Sequence, residues 1–374
     1  MNLLEMIGVD LPIVQAPMAG VSTALMAAAV SNAGALGSVG IGASDLPAAV
    51  AMIAQVRAQT RRAFNVNVFC HQSPIADCSL ETAWLERLRP QFAQFHASPP
   101  LRLETIYRSF VDDDEVLALL LDTKPRVVSC HFGLPSLDQI RALREAGIIL
   151  LATATNLDEA IAASRSGVNA VVAQGHEAGG HRGVFDLDAE DNCLGTLALT
   201  RLLVKKLEVP IIAAGAIMDG AGIASVLKLG ASAAQLGTAF IACPESAADA
   251  GFRRALASDA ANHTVMTWAI SGRPARALCN AFTALGSGVP RQQIPPYPIA
   301  YDAGKALNAA AKLAGQSGYG AQWAGQGAPL VRELPASDLV AMLASELASA
   351  RDCASLGAGY VSTSHSSNQA GMAT

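Results

Sequence analysis

Charged residues are scarce in this 374-residue chain, 15% in all, and that shortage excludes a disordered tail or linker. Aromatic residues are scarcer still at 5%, and no basic block exists, because Lys+Arg 26 against Asp+Glu 31 leaves a net charge of −5. That balance favours neither phosphate-backbone binding nor base stacking, so nucleic acid is not an expected partner. Long apolar runs are missing too. Gly, Pro and polar residues interrupt every stretch before the roughly 18 uncharged residues that a membrane span needs, so no membrane partner is expected. The seven cysteines run from Cys70 to Cys353 without a C-x-x-C and are odd in number, which argues against a disulfide framework or a zinc ribbon. The first ten residues carry two acids and no Lys or Arg, unlike the charged start of a signal peptide. Together these absences point to a cytoplasmic location.

What the chain does have is 51% hydrophobic residues, arranged as eight short apolar runs between residue 11 and about 240. They are LPIVQAP, ALGSVG, FNVNVF, RVVSCHFG, IILLATA, NAVVAQG, VPIIAAG and ASAAQLG. Each has strand length, and Ala- and Leu-rich helical stretches follow most of them, at 22–33, 44–60, 136–146, 157–166, 196–207 and 219–229. Alternating β and α units make a parallel sheet, and eight of them close as a (β/α)8 TIM barrel rather than an open doubly wound sheet. The longer segment at 70–111 adds a helix or two.

After the eighth run, residues 243–329 concentrate Gly, Pro and aromatics without repeating strand units and read as a smaller, mainly helical substrate cap. The domain reading is therefore a barrel over 1–242, a cap over 243–329 and a helix over 330–355 that returns to the barrel. Leu339, Met342, Leu343 and Leu347 form the apolar face of that helix at helical spacing. The small polar tail, 356–374, is expected to fray.

In such a barrel the chemistry sits at the carboxyl ends of the strands. The turns after the seventh and eighth runs carry Gly215, Gly237 and Thr238, where bare backbone and a following helix N-terminus suit a phosphate. A lone Gly after a strand is more often a plain turn, but two adjacent loops strengthen the phosphate reading. The densest constellation follows the sixth run, A-Q-G-H-E-A-G-G-H-R-G at 173–183, with Gln174, His176, Glu177, His181 and Arg182 among four glycines. H-x-x-x-x-H interrupted by Gly179 and Gly180 makes a poor metal site, so no metal is expected. His181 is placed for general-base or hydrogen-bond work. In the cap, Pro298 suits a helix start, so Tyr301 and Lys305 share one face with Tyr297 just before them. Spacing alone leaves open whether these pack or wall an anion pocket.

Taken together, Q-A-P-M-A-G at 15–20, N-V-N-V-F at 65–69, the 173–183 loop, the two glycine loops and the Tyr297, Tyr301, Lys305 segment resemble the nitronate monooxygenase family, formerly the 2-nitropropane dioxygenases. The likeness covers nearly the whole chain, and the cap signature is similar to the class I enzymes. It implies FMN as cofactor, with Ala16, Pro17 and Met18 beneath the flavin ring and Asn67 and Gln174 bonded to it. Gly179 and Gly180 would allow close backbone approach, and Gly215, Ala216, Gln235, Gly237 and Thr238 would form the phosphate loops. Ala216 departs from the second Gly that the family commonly has. His181 corresponds to the family's catalytic histidine, and Tyr107, Tyr297, Tyr301 and Lys305 to its substrate pocket.

The implied reaction is oxidative denitrification of an alkyl nitronate with O2, giving a carbonyl compound and nitrite. A second anionic group, as in propionate 3-nitronate, would suit Lys305 and the tyrosines. The competing readings are an NAD(P)H-dependent FMN reductase of the quinone or enoyl-thioester type on the same barrel, and a flavin-binding protein without turnover. The oligomeric state is left open.

Overall fold

A parallel strand buried on both faces must be apolar along its length, and the eight runs meet that demand. In the computed structural model, which describes residues 2–361 and the side chains of 2–352, they form β1 (Ile13–Gln15), β2 (Gly37–Gly40), β3 (Phe64–Phe69), β4 (Val127–His131), β5 (Ile149–Ala154) and β6 (Ala170–Gln174). A two-residue strand β7 (Gly180–His181) lies outside the barrel, and β8 (Ile211–Ala214) and β9 (Ala233–Leu236) complete it. All neighbours in the order β1-β9-β8-β6-β5-β4-β3-β2 are parallel, and a bridge between Val14 and Leu36 brings β1 to β2. The sheet thus closes as a (β/α)8 barrel.

The helices are α1 (Leu3–Ile7), α2 (Ala24–Asn32), α3 (Leu46–Gln59), α4 (Cys78–Gln94), α5 (Asp114–Thr123), α6 (Leu137–Glu145), α7 (Leu157–Ser166), α8 (Thr196–Lys206) and α9 (Gly220–Lys228). Thr23, Asp45, Ser136, Asn156 and Asp219 each accept a backbone N–H at the start of the helix that follows. Each such cap is worth about 1 kcal/mol and fixes where a strand's outgoing loop turns back. Leu3 and Ile7 of α1 join Val14, Val127, Leu151 and Ile212 in one buried cluster.

Beyond the barrel come α10 (Ala250–Leu256), β10 (Thr264–Thr267), β11 (Ala275–Leu278), α11 (Ala281–Leu285), α12 (Ile299–Leu313) and α13 (Ala336–Val361). The region expected to be a mainly helical cap without repeating strand units also carries two short strands, β10 and β11, which with β7 make a three-stranded antiparallel sheet. Four-residue strands, one of them partly exposed, leave too short a period to read in sequence. The long segment after β3 supplies α4, whose Trp84 and Phe92 bury with Ile299, Ala303 and Leu307 of α12 and so seat the cap.

Helix α13 closes the ring by packing on α9 and α2. Among its described side chains Ala336, Leu339, Val340, Leu343 and Leu347 are buried, whereas Met342, read as part of that face, is 39% exposed. The groove between two helices is narrower than the stripe counted from sequence. Residues 362–374 of the tail expected to fray lie outside the described residues.

Where α13 crosses α9, a Cβ on Gly220 would fall 2.3 Å from Glu346 Cβ and from Leu347 N. Gly220→Ala is therefore expected to push the helices apart and cost about 1–3 kcal/mol, read as a lowered denaturation midpoint. An unchanged midpoint would show that the crossing is loose.

Candidate active site

The carboxyl ends of the barrel strands open into one cavity of about 310 Å³, closed on the far side by the cap. The cofactor, catalytic and substrate residues expected from the sequence line it: Ala16, Pro17, Met18, Asn67, Tyr107, Gln174, Gly179, Gly180, His181, Gly215, Ala216, Gln235, Gly237, Thr238, Tyr297, Tyr301 and Lys305; His176, Glu177 and Arg182 of the same constellation do not. Their placement follows from a few buried polar groups.

At the first turn, buried Gln15 accepts from Ser38 N–H at 2.8 Å and donates to Ser22 Oγ at 2.8 Å and to the Ala16 carbonyl. Ser22 Oγ also accepts from Met18 N–H at 3.0 Å, which holds Ala16, Pro17 and Met18 at the rim. Asn67 gives its amide hydrogens to the Ser129 carbonyl at 3.0 Å and Oγ at 2.9 Å, leaving Oδ1 as an acceptor for a ligand. Gln174 donates to the His181 carbonyl at 2.9 Å and accepts from Gly183 N–H at 2.8 Å, which leaves one amide hydrogen to offer.

The loop after β6 sorts into separate roles. Glu177 accepts from Thr196 N–H and from its hydroxyl, capping α8. Arg182, 1% exposed, donates to the Gln174 carbonyl at 2.8 Å and pairs through two nitrogens with Asp191 at 2.9 Å. The two histidines do not converge: His176 groups with Asp191 and Cys193, and Asp191 is already taken by Arg182. His181 faces the cavity, its Nε2 2.9 Å from Ser271 Oγ. A Cβ on Gly179 would lie 2.4 Å from Gly325 N, so that glycine admits the 324–325 backbone.

At the other end, Gly215 (φ 129°) and Ala216 (φ 52°) turn in the left-handed region. This conformation explains why a glycine suits position 216, where a methyl costs about 1–2 kcal/mol. Thr238 Oγ accepts from Gly325 N–H at 3.0 Å and keeps its own proton to donate. Bare backbone at 215 and 237 beside a hydroxyl donor is a fit for a phosphate, and Asn67 Oδ1 with the Gln174 amide is a fit for a ring bearing both donors and acceptors.

The cap side is aromatic. His181 lies 5.0 Å from the Trp323 ring, 5.4 Å from Phe132, 5.5 Å from Tyr297 and 6.2 Å from Tyr301. Lys305, at the mouth, donates to the Tyr107 hydroxyl at 2.7 Å. Burial pushes the Tyr107 phenol up to about 12, and it raises Tyr297 and Tyr301 as well, so all three stay protonated donors. Burial, followed by His131, Arg273 and His71, holds His181 well below the usual imidazole range. No Asp or Glu lines the cavity among the described residues. Sequence reasoning missed Trp323, Phe132 and Ser271; an isolated Trp between glycines was the one visible signal.

With this geometry in hand, the comparisons with known proteins are direct. A sequence model of the family described as nitronate monooxygenase matches residues 1–346. A nitronate monooxygenase of Paraburkholderia phytofirmans is 59% identical over 345 residues, 92% of this chain and 94% of that protein. One of Pseudomonas aeruginosa is 52% identical over 92% of this chain and 98% of its own. Among solved structures, a nitroalkane oxidase from Streptomyces ansochromogenes superposes with TM-score 0.84 at 40% identity, covering 94% of this chain and 99% of that one. FabK from Thermotoga maritima is more distant, with TM-score 0.71 at 26% identity over 96% and 99%.

Two buried histidines beside the cavity set a pH limit. Burial first and the Arg273 guanidinium second lower His71 to about 4, and burial likewise lowers His131 to about 4. Both are neutral in the fold, whereas an unfolded chain protonates them near 6.5. The unfolded state therefore binds more protons between those values, and stability is full above about 6.5 and is lost as pH falls toward 4. His71→Leu, which removes the titrating ring, should flatten that slope in melting curves taken from pH 8 to 4. An equal slope in the variant would take His71 out of the account.

Proposed function

The chain belongs to the nitronate monooxygenase family, and from that premise we propose an FMN-dependent oxidation of alkyl nitronates by O2 to carbonyl compounds and nitrite, with propionate 3-nitronate as the preferred substrate. The observation that carries the substrate is the cavity's charge: among the described residues no carboxylate lines it, and an ammonium bonded to a phenol stands at its mouth. A substrate with an anion at each end fits that arrangement.

Ala16, Pro17, Met18, Asn67, Gln174, Gly179 and Gly180 are proposed to hold the flavin ring, and Gly215, Ala216, Gln235, Gly237 and Thr238 its phosphate. Bound by these residues, FMN would supply the chemistry of electron transfer between the nitronate and O2. The protein's own part is to bind and orient. Lys305 and the Tyr107 hydroxyl take the distal carboxylate, while Tyr297 and Tyr301 supply neutral donors in a wall that excludes water. His181, proposed as the catalytic residue, is uncharged near neutral pH and directs a ring nitrogen at the nitro group. Its lowered proton affinity makes it a weak base, which favours a substrate that arrives already deprotonated. A neutral nitroalkane would need His181 to remove the α-proton. The barrel shared with FabK keeps an NAD(P)H-dependent FMN reductase as the competing reading.

The test is aerobic nitrite release from propionate 3-nitronate by the purified yellow protein, beside anaerobic mixing with NADH. Nitrite release without flavin bleaching is expected; rapid bleaching by NADH without nitrite would give the reductase instead. Heat denaturation should free FMN into the supernatant, and FAD or a covalent adduct there would overturn the cofactor.

Lys305→Met should raise KM for propionate 3-nitronate about tenfold and leave ethyl nitronate, which has no second anion, within about twofold. Equal losses with both would place Lys305 outside substrate recognition.

A further inference from the structure

Arg273 is 3% exposed and pairs with no carboxylate among the described residues. Its guanidinium donates to the Val184 carbonyl, its Nε has no hydrogen-bond partner among the described residues, and the group stacks 4.2 Å over the Phe132 ring. Such a charge is costly to bury unpaired. Phe132 is also a wall of the cavity, 5.4 Å edge-on from His181. Ser271, two residues before Arg273, contacts His181 Nε2 at 2.9 Å and shares its hydroxyl with both backbone groups of Arg273. One turn therefore carries the imidazole's anchor and the unpaired cation.

We propose that Arg273 is an electrostatic positioning residue of this site, a standing buried cation, fixed against His181 by the Ser271 turn, that biases the cavity toward anions. The titratable and charged groups around it are His71 after β3, His131 at the end of β4, Glu159 on α7, His181 and Arg182 on the β6 loop, and Arg291 and Tyr297 of the cap. Glu159 forms no ion pair with it, its oxygens accepting from Thr155 and from Phe185 N–H, and its carboxylate offsets the guanidinium only in part and without contact. Added to burial, the larger cause for each, a positive field from this position lowers the proton affinity of the three inner histidines further, and it lowers the energy of an anion beside Phe132 and His181. Only the substrate arm below rests on the nitronate reading of the cavity.

The test is histidine-selective carbon-13 NMR of the flavin-loaded protein over pH 4–8, with the resonances assigned by substitution. In the wild-type chain the three inner histidines should titrate below 6.5. In Arg273→Met they should move up toward that value, while Arg273→Lys, which keeps the charge, should stay with the wild type. Arg273→Gln, which still bonds to the Val184 carbonyl, stands in if the methionine variant does not fold. In steady state the neutral variant should raise KM for propionate 3-nitronate roughly tenfold, with KM for neutral nitroethane within about twofold. Unchanged histidine titration in the neutral variants overturns the proposal, as does a lysine variant that behaves like the methionine one, which would make the role one of packing. If the wild-type chain releases no nitrite, the nitronate reading fails while the NMR comparison still decides about Arg273.

Discussion

The site depends on one constraint, the return of the loop after β6 onto its own strand. A loop of nine residues rich in glycine has no reason of its own to hold a shape. Arg182 supplies the reason. Its buried guanidinium binds the last carbonyl of β6 and is neutralised by Asp191, while the side chain of the same Gln174 grips the loop at His181 and Gly183. With both ends of the loop tied to one residue, Gly180 and His181 are extended enough to pair with β11, and the cap is joined to the barrel through that pairing. Arg276 adds a second tie by donating to the His176 carbonyl at 2.9 Å.

A second segment, residues 322–328, spans the cavity and couples its two ends. Gly325 donates to Thr238 where the glycine loops lie, Gln326 donates to the Glu177 carbonyl, and Trp323 packs on His181. The close approach of Gly325 to Gly179 makes this possible, since a side chain on either would separate the two backbones. Both glycines are thus explained by chain-on-chain contact, a physical reason that runs beside any contact with a ligand.

The barrel was legible because its strands are buried on both faces and so are apolar throughout, and because helix caps such as Thr23 and Asp219 sit where the periodicity changes. The rim was legible for a related reason: residues that follow the strands must point into the same opening. Less could be read where tertiary context overrides the local pattern. The strands β10 and β11 exist because β7 offers an edge, and that edge is made by a loop whose shape sequence alone does not give. Met342 has the right type and nearly the right phase, yet α13 turns Val340 inward instead. Arg273 is the extreme case, since an arginine read from sequence is by default a surface residue, yet here it is buried next to Gly272 in the left-handed region, with its guanidinium over the Phe132 ring.

The electrostatics of the cavity are one-sided, and this bears on which protonation states can coexist there. Three phenols are held neutral by burial, and His181 is held neutral by burial and by the groups around it. Among the described residues no carboxylate lines the cavity, so Glu159 and Asp302 act on Arg273 behind Phe132 and on Tyr107 beside Lys305 at the mouth only from outside it. A neutral ligand would enter without relieving any of this. An anion reaching from Tyr107 to His181 would lie between the two cations, recover part of the cost of burying Arg273, and raise the proton affinity of the imidazole it touches. Binding and the protonation of His181 are therefore coupled: the imidazole becomes a better proton holder only once negative charge is in place. In a pocket built this way, the deprotonated substrate proposed above would both bind and raise the proton affinity of the histidine, whereas a neutral one would leave that affinity unchanged.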